Sequence, residues 1–145
     1  MSSEYAGRKT GDRRPAVASL RSDEAIGIPL YKCQELEVYR LALDYADLIY
    51  GLAGKLPEAE RFNPKAQIEA AATSILLNIA EGSTGHTDPE QQRFLSFSLR
   101  SFLESVACLD LSERRQYLTQ HELIEVRLFG HTLFAKLQAF RRSVR

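Results

Sequence analysis

Three histidines, two cysteines and nineteen carboxylates are the groups here whose types could do chemistry, and their spacing organises almost none of it. A di-iron centre inside a helical bundle requires Glu-x-x-His pairs. The positions three before His86, His121 and His131 are Ser83, Leu118 and Leu128, so no such pair exists. There is no glycine-rich phosphate loop, no nucleophile elbow and no Cys/His metal cluster. His121 and Glu125 have i,i+4 spacing, which reads as a surface pair. Cys33 and Cys108 lie far apart without metal-ligand spacing, and they read as small, reduced apolar residues of a cytoplasmic protein. The expectation is a protein with no catalytic residue, no metal and no cofactor, and not an enzyme.

What remains is charge and a few misplaced polar residues. Formal charge cancels over the chain but not along it. Residues 1–30 carry five Lys/Arg and four Asp/Glu, residues 31–110 seven and twelve, and residues 111–145 seven and three. A basic final element on an acidic body makes Arg114, Arg115, Arg127, Lys136, Arg141, Arg142 and Arg145 the candidate phosphate contacts. The competing reading is a solvated helix face whose C-terminal cations favour the helix dipole. Among the polar residues, Glu81 sits where a carboxylate opposes that dipole, and is either solvated or held by an arginine or a backbone donor. Asn78 reads as a satisfied amide. Glu104 falls in a mostly apolar stripe and is expected to pair across the fold, because an unpaired buried carboxylate is costly.

Four helices would position these groups. The central one runs from Asn63, a good N-cap, through Pro64 to Gly82, a natural residue for leaving a helix with positive φ. It is apolar around most of its circumference and reads as buried on nearly all sides. The first helix is expected over Tyr31 to Leu56, with two apolar seams. One is Leu36, Tyr39, Leu43, Ala46, Tyr50 and Ala53; the other is Val38, Leu41, Tyr45, Leu48, Leu52 and Leu56. Either one seam faces a neighbouring chain or both fill a single broad core face. The third helix opens at Thr87-Asp88-Pro89-Glu90, has the core seam Leu95, Leu99, Phe102, Val106 and Leu109, and carries a close-packing ridge of Ser98, Ser101 and Ser105. The last starts at a Thr119/Glu122 capping box with a Leu118/Leu123 staple. Its core positions are Val126, Gly130, Leu133, Leu137, Phe140 and Val144.

No strand alternation competes. The fold class is therefore all-α, an antiparallel up-down-up-down four-helix bundle over residues 31–145 behind a flexible tail of residues 1–30. That tail is either a solvated leader or a basic arm for nucleic acid. No apolar run reaches the roughly 20 residues that span a bilayer, and no signal-peptide core opens the chain.

Gln67-Ile68, Ala70-Ala71, Ser74-Ile75 and Asn78-Ile79-Ala80-Glu81-Gly82 together resemble the signature helix of the bacterial four-helix-bundle proteins, also called 23S-rRNA intervening-sequence proteins. The similarity extends to Leu36-Glu37-Val38-Tyr39, Leu56-Pro57, Arg93-Phe94-Leu95, Ser101-Phe102-Leu103-Glu104 and Tyr117-Leu118, covering about residues 33 to 140. The resemblance implies a homopentameric barrel. It also implies a fold shared with the accessory variability determinant of diversity-generating retroelements, a basic pentamer that binds a reverse transcriptase and nucleic acid. This chain departs from the pattern at Leu76-Leu77, where Ser-Pro is usual. It departs again at Glu69 and Ala70, where arginines are usual.

Two functions follow as expectations. One is an oligomeric, nucleic-acid-associated accessory subunit of a retroelement reverse transcriptase. The other is a self-assembling protein-interaction module without a nucleic-acid role, which the near-neutral charge favours.

Overall fold

A computed structural model describes residues 25–58, 63–84 and 87–144. The described residues are helical and contain no strand. The helices are α1 (Lys32–Glu35), α2 (Glu37–Ala53), α3 (Pro64–Gly82), α4 (Asp88–Arg114) and α5 (Gln120–Ser143). Of the expected tail, residues 1–24 lie outside the described residues. In residues 25–30 only Leu30 is partly covered.

Local sequence explains where most helices begin. Asn63 accepts from the Ala66 amide at 3.2 Å, and Pro64 follows at the first helical position. Asn63 does this with φ +41°, a left-handed conformation that asparagine tolerates. Thr87 caps α4 through the Glu90 amide, leaving Asp88 in the first turn. Thr119 and Glu122 cap each other's backbone amides at α5, and the stapling pair Leu118 and Leu123 is buried.

The first helix is not the continuous one over Tyr31 to Leu56 that its periodicity suggests: it is divided, and it ends at Ala53. Leu36 is extended, with ψ 129°, and divides α1 from α2. The break turns Leu36 onto the core, and the Arg40 side chain donates through Nε to the Gln34 carbonyl at 2.9 Å. That bond satisfies a carbonyl the interrupted helix leaves open. The two seams of α2 flank a single buried line of Val38, Ala42, Tyr45, Ala46, Ile49 and Ala53. Leu41, Leu48 and Leu52 pack on one side of it, and Leu36 and Tyr39 on the other. Both seams serve the chain's own core for most of their length, while Tyr50 of the first stays about half exposed and Leu43 is not packed on the core.

Each long helix packs on the next in sequence, and α5 closes on α2. The contact between α3 and α4 is the most extensive. Three serines of α4 are buried against its neighbours: Ser98 donates to the Ile75 carbonyl at 2.8 Å, Ser101 bonds Ser74 at 2.9 Å, and Ser105 bonds the Tyr45 hydroxyl at 2.7 Å. At the level of Tyr45 the core is aromatic. Phe102 lies with ring centroids 5.2 Å from both Tyr45 and Phe134, and Gly130 leaves room for them.

Two expectations for α3 fail. It is not buried on all sides, because Ala66, Ala70, Leu77 and Glu81 are exposed while Ile68, Ala71, Ala72, Ile75 and Ile79 fill the core. Four contacting helices leave each one an outward face, whatever its composition. Nor does Gly82 leave the helix with positive φ. It is the last helical residue, and the turn passes to Ser83 at φ −88°. Its lack of a side chain serves contact instead, since a Cβ there would lie 2.9 Å from Phe94 Cβ. Gly82→Ala should therefore destabilise the fold by about 1–3 kcal/mol through overpacking, read as a lower midpoint in chemical denaturation with the slope unchanged.

Candidate functional site

The seven basic residues singled out by charge are not gathered into one patch. Arg127 reaches from α5 to α4, where Nη2 lies 2.9 Å from Asp110 Oδ1 and 3.8 Å from Glu113 Oε2. Lys136, nine residues on, lies on the opposite side of α5 at 3.6 residues per turn, and pairs with Glu37 of α2 at 3.4 Å. Arg114 and Arg115 end α4, whereas Arg141 and Arg142 lie in the last turn of α5. Arg145 lies outside the described residues. At 1.5 Å per residue, Arg127 and Arg141 stand roughly 21 Å apart along the helix. Arg114, Arg141 and Arg142 are exposed, without an ion pair to a described residue. Exposed pairs such as Lys136–Glu37 add about 0.2–1 kcal/mol each, so they organise charge more than they hold the fold.

The signature residues divide by role. Ile79 and Gly82 are buried, and Ala80 is half-buried. Asn78 Nδ2 donates to the Ser74 carbonyl at 2.8 Å and to Ser74 Oγ at 3.1 Å, a satisfied amide as its type suggests. Glu81 is exposed, which favours the solvated reading. Glu104 is exposed as well and pairs with no described residue, contrary to expectation. Its stripe turns only partly inward: Ser101 is buried and Cys108 packs against the core, while Glu104 itself faces outward. Cys108 is a free, half-buried thiol pushed up by burial first and the Glu104 carboxylate second.

Three features escaped a reading centred on the core. Arg93 and Arg100 both lie over Phe97, 5.4 and 5.8 Å from its centroid. A groove of about 220 Å³ opens between α4 and α5, floored by Tyr45, Phe102, Gly130 and Phe134 and rimmed by Leu103, Arg127 and His131. The outward faces of three helices also carry apolar residues at helical spacing. These are Ala66, Ala70 and Leu77 on α3, Leu103, Ala107 and Leu111 on α4, and Ile124, Leu128, Ala135 and Ala139 on α5. For the outward faces the signal was present as apolar residues at four- and seven-residue spacing, displaced from the core seam.

The family model for the 23S rRNA-intervening sequence protein matches residues 34–138. The chain belongs to that family. No curated protein sequence matches it. The matched span runs from within α1 almost to the end of α5, so it includes α2, α3, α4 and most of α5. Among the described residues of this family member, no helix is long and apolar enough to cross a membrane. No three His, Cys, Asp or Glu among them come together as a metal site would require.

Beneath the groove, burial pushes the Tyr45 hydroxyl up to about 12, against smaller lowering effects from the Ser105 hydrogen bond and Arg127. The unfolded chain ionises this group near 10. Its stabilising contribution is therefore complete below pH 10 and is lost as pH rises from 10 to 12. Thermal unfolding followed over that range should show a steeper alkaline loss in the natural protein than in Tyr45→Phe.

Proposed function

We propose that this protein is a non-enzymatic scaffold that acts as a homo-oligomer in the cytoplasm. Its four long helices form an antiparallel up-down-up-down bundle. The pairings that support the topology join opposite ends of neighbouring helices. Lys55 at the end of α2 meets Glu122 at the start of α5, while Lys136 late in α5 meets Glu37 at the start of α2. Gln92 early in α4 donates to the Val144 carbonyl just past α5, and Arg127 early in α5 meets Asp110 late in α4.

The observation that carries the reading is the apolar outer surface. Single exposed leucines are ordinary, but repeated apolar residues along three outward helix faces mark association surfaces. Most of both α2 seams is used internally, so beside Tyr50 of α2 these faces are what remains for a neighbour. Five copies is the number the family resemblance implies. Light scattering on the purified full chain at micromolar concentration should return a molar mass several times that of one chain. A monomer there overturns the proposal.

A second reading is an accessory subunit that binds a reverse transcriptase and RNA or DNA within a diversity-generating retroelement. Two arginines stacked on an exposed flank around Phe97 favour it, since such planes also stack on bases. Less favourable is the internal pairing of Arg127 and Lys136. Under this reading, RNA or single-stranded DNA binds at low salt and loses affinity steeply as salt rises, and Arg93→Ala with Arg100→Ala weakens it. No binding at low salt, with or without the reverse transcriptase, removes this reading and leaves the scaffold intact.

A further inference from the structure

We infer that the α4–α5 groove binds a small uncharged aromatic molecule, of one or two fused rings, that carries an N–H or O–H on its edge. The groove holds about 220 Å³. A cavity of about 150 Å³ lined by aliphatic and aromatic side chains accepts benzene, so this one has room for a fused pair of rings and little more. Its floor is itself aromatic. Phe102 stands 5.2 Å from the Tyr45 and Phe134 rings and is tilted 38° and 32° to them. A further ring laid on Phe102 or Phe134 extends that series at the separations aromatic pairs prefer. Gly130 makes room for the floor, because a Cβ there would lie 3.1 Å from Phe102 Cζ and 3.3 Å from Tyr45 Cε2.

Polar groups decide which aromatic molecule fits. Beneath the floor the Tyr45 hydroxyl is taken by Ser105 at 2.7 Å, and no buried side-chain N or O among the described residues lacks a partner. The inner part of a ligand therefore meets carbon, and a polar atom placed there would lose water without gaining a hydrogen bond. At the mouth, Arg127 is already held by Asp110 and Glu113. With two carboxylates to one guanidinium, an anion would find no free positive charge, and an uncharged ligand is favoured. His131 lies one turn along α5 from Arg127, exposed at the mouth. An imidazole nitrogen there is placed to pair with an N–H or O–H on the ligand's edge. Apolar walls with a few polar groups to one side are the usual form of a small-molecule site.

The chain has no tryptophan, so added indole, excited where tyrosine does not absorb, reports its own surroundings. Titrating the purified full chain into indole should shift that emission to the blue and saturate at one indole per chain. Val106→Phe, which fills the groove from α4, should weaken binding at least about tenfold. So should Leu103→Glu, at a half-exposed rim position whose change spares the core; circular dichroism and a cooperative melt establish that each variant folds. Indene has the shape of indole without its N–H. It should displace indole but bind about three- to tenfold more weakly, and His131→Ala should abolish that difference. Indole-3-carboxylate should also bind more weakly than indole. No saturable binding, or binding unchanged in a folded Val106→Phe or Leu103→Glu variant, overturns the site. Indole no tighter than indene, a preference that survives His131→Ala, or a carboxylate that binds as tightly as indole overturns the ligand class. None of these readouts depends on assembly, so a monomeric natural chain removes the scaffold reading and not the site.

Discussion

The close approach of α3 and α4 governs how everything else is arranged. Gly82 sits against Phe94, and the Ser98 hydroxyl reaches the Ile75 carbonyl across the same interface. Helices that pack through serine and glycine come closer than helices that pack through leucine. The bulky residues then gather elsewhere in the core, where Phe102 meets Tyr45 and Phe134 beside Gly130. That displacement leaves the α4–α5 junction less filled than the α3–α4 junction, and the groove is the result.

Much of this was legible in the residues. Caps are local chemistry, so Asn63, Thr87 and Thr119 announced their helices, and the serine ridge announced a close contact. Seams are legible as periodicity, although a seam does not say what it faces. On α2 two seams proved to be the edges of one buried face. On α3 an apolar circumference concealed an outward side, because alanine fits either environment. Gly82 was recognisable as special, but not the reason, since glycine serves both positive φ and close contact and only the position of Phe94 distinguishes them. Leu36 had no signal at all. Its break is accompanied by Arg40 reaching back to Gln34, a contact between neighbouring turns that no familiar cap motif announces.

Charge was the least legible quantity. Counting along the chain made the last helix basic, yet its cations are divided among its sides. Arg127 is neutralised by α4 and Lys136 by α2. Linear charge density therefore overstated the field that any partner meets. The exposed signature carboxylate, Glu81, belongs to the same lesson in reverse: a residue that does little for its own helix is available to another surface.

The buried hydroxyls of α4 have a thermal consequence. Ser98, Ser101, Ser105 and Ser112 occupy core positions that aliphatic side chains fill in most bundles. Exposing apolar area on unfolding raises the heat capacity, whereas exposing polar area lowers it. A core enriched in hydroxyls thus gives a smaller heat-capacity increment for its size, and with it a broader, flatter stability curve. Cooling is then expected to weaken such a fold less than one held by hydrophobic burial alone.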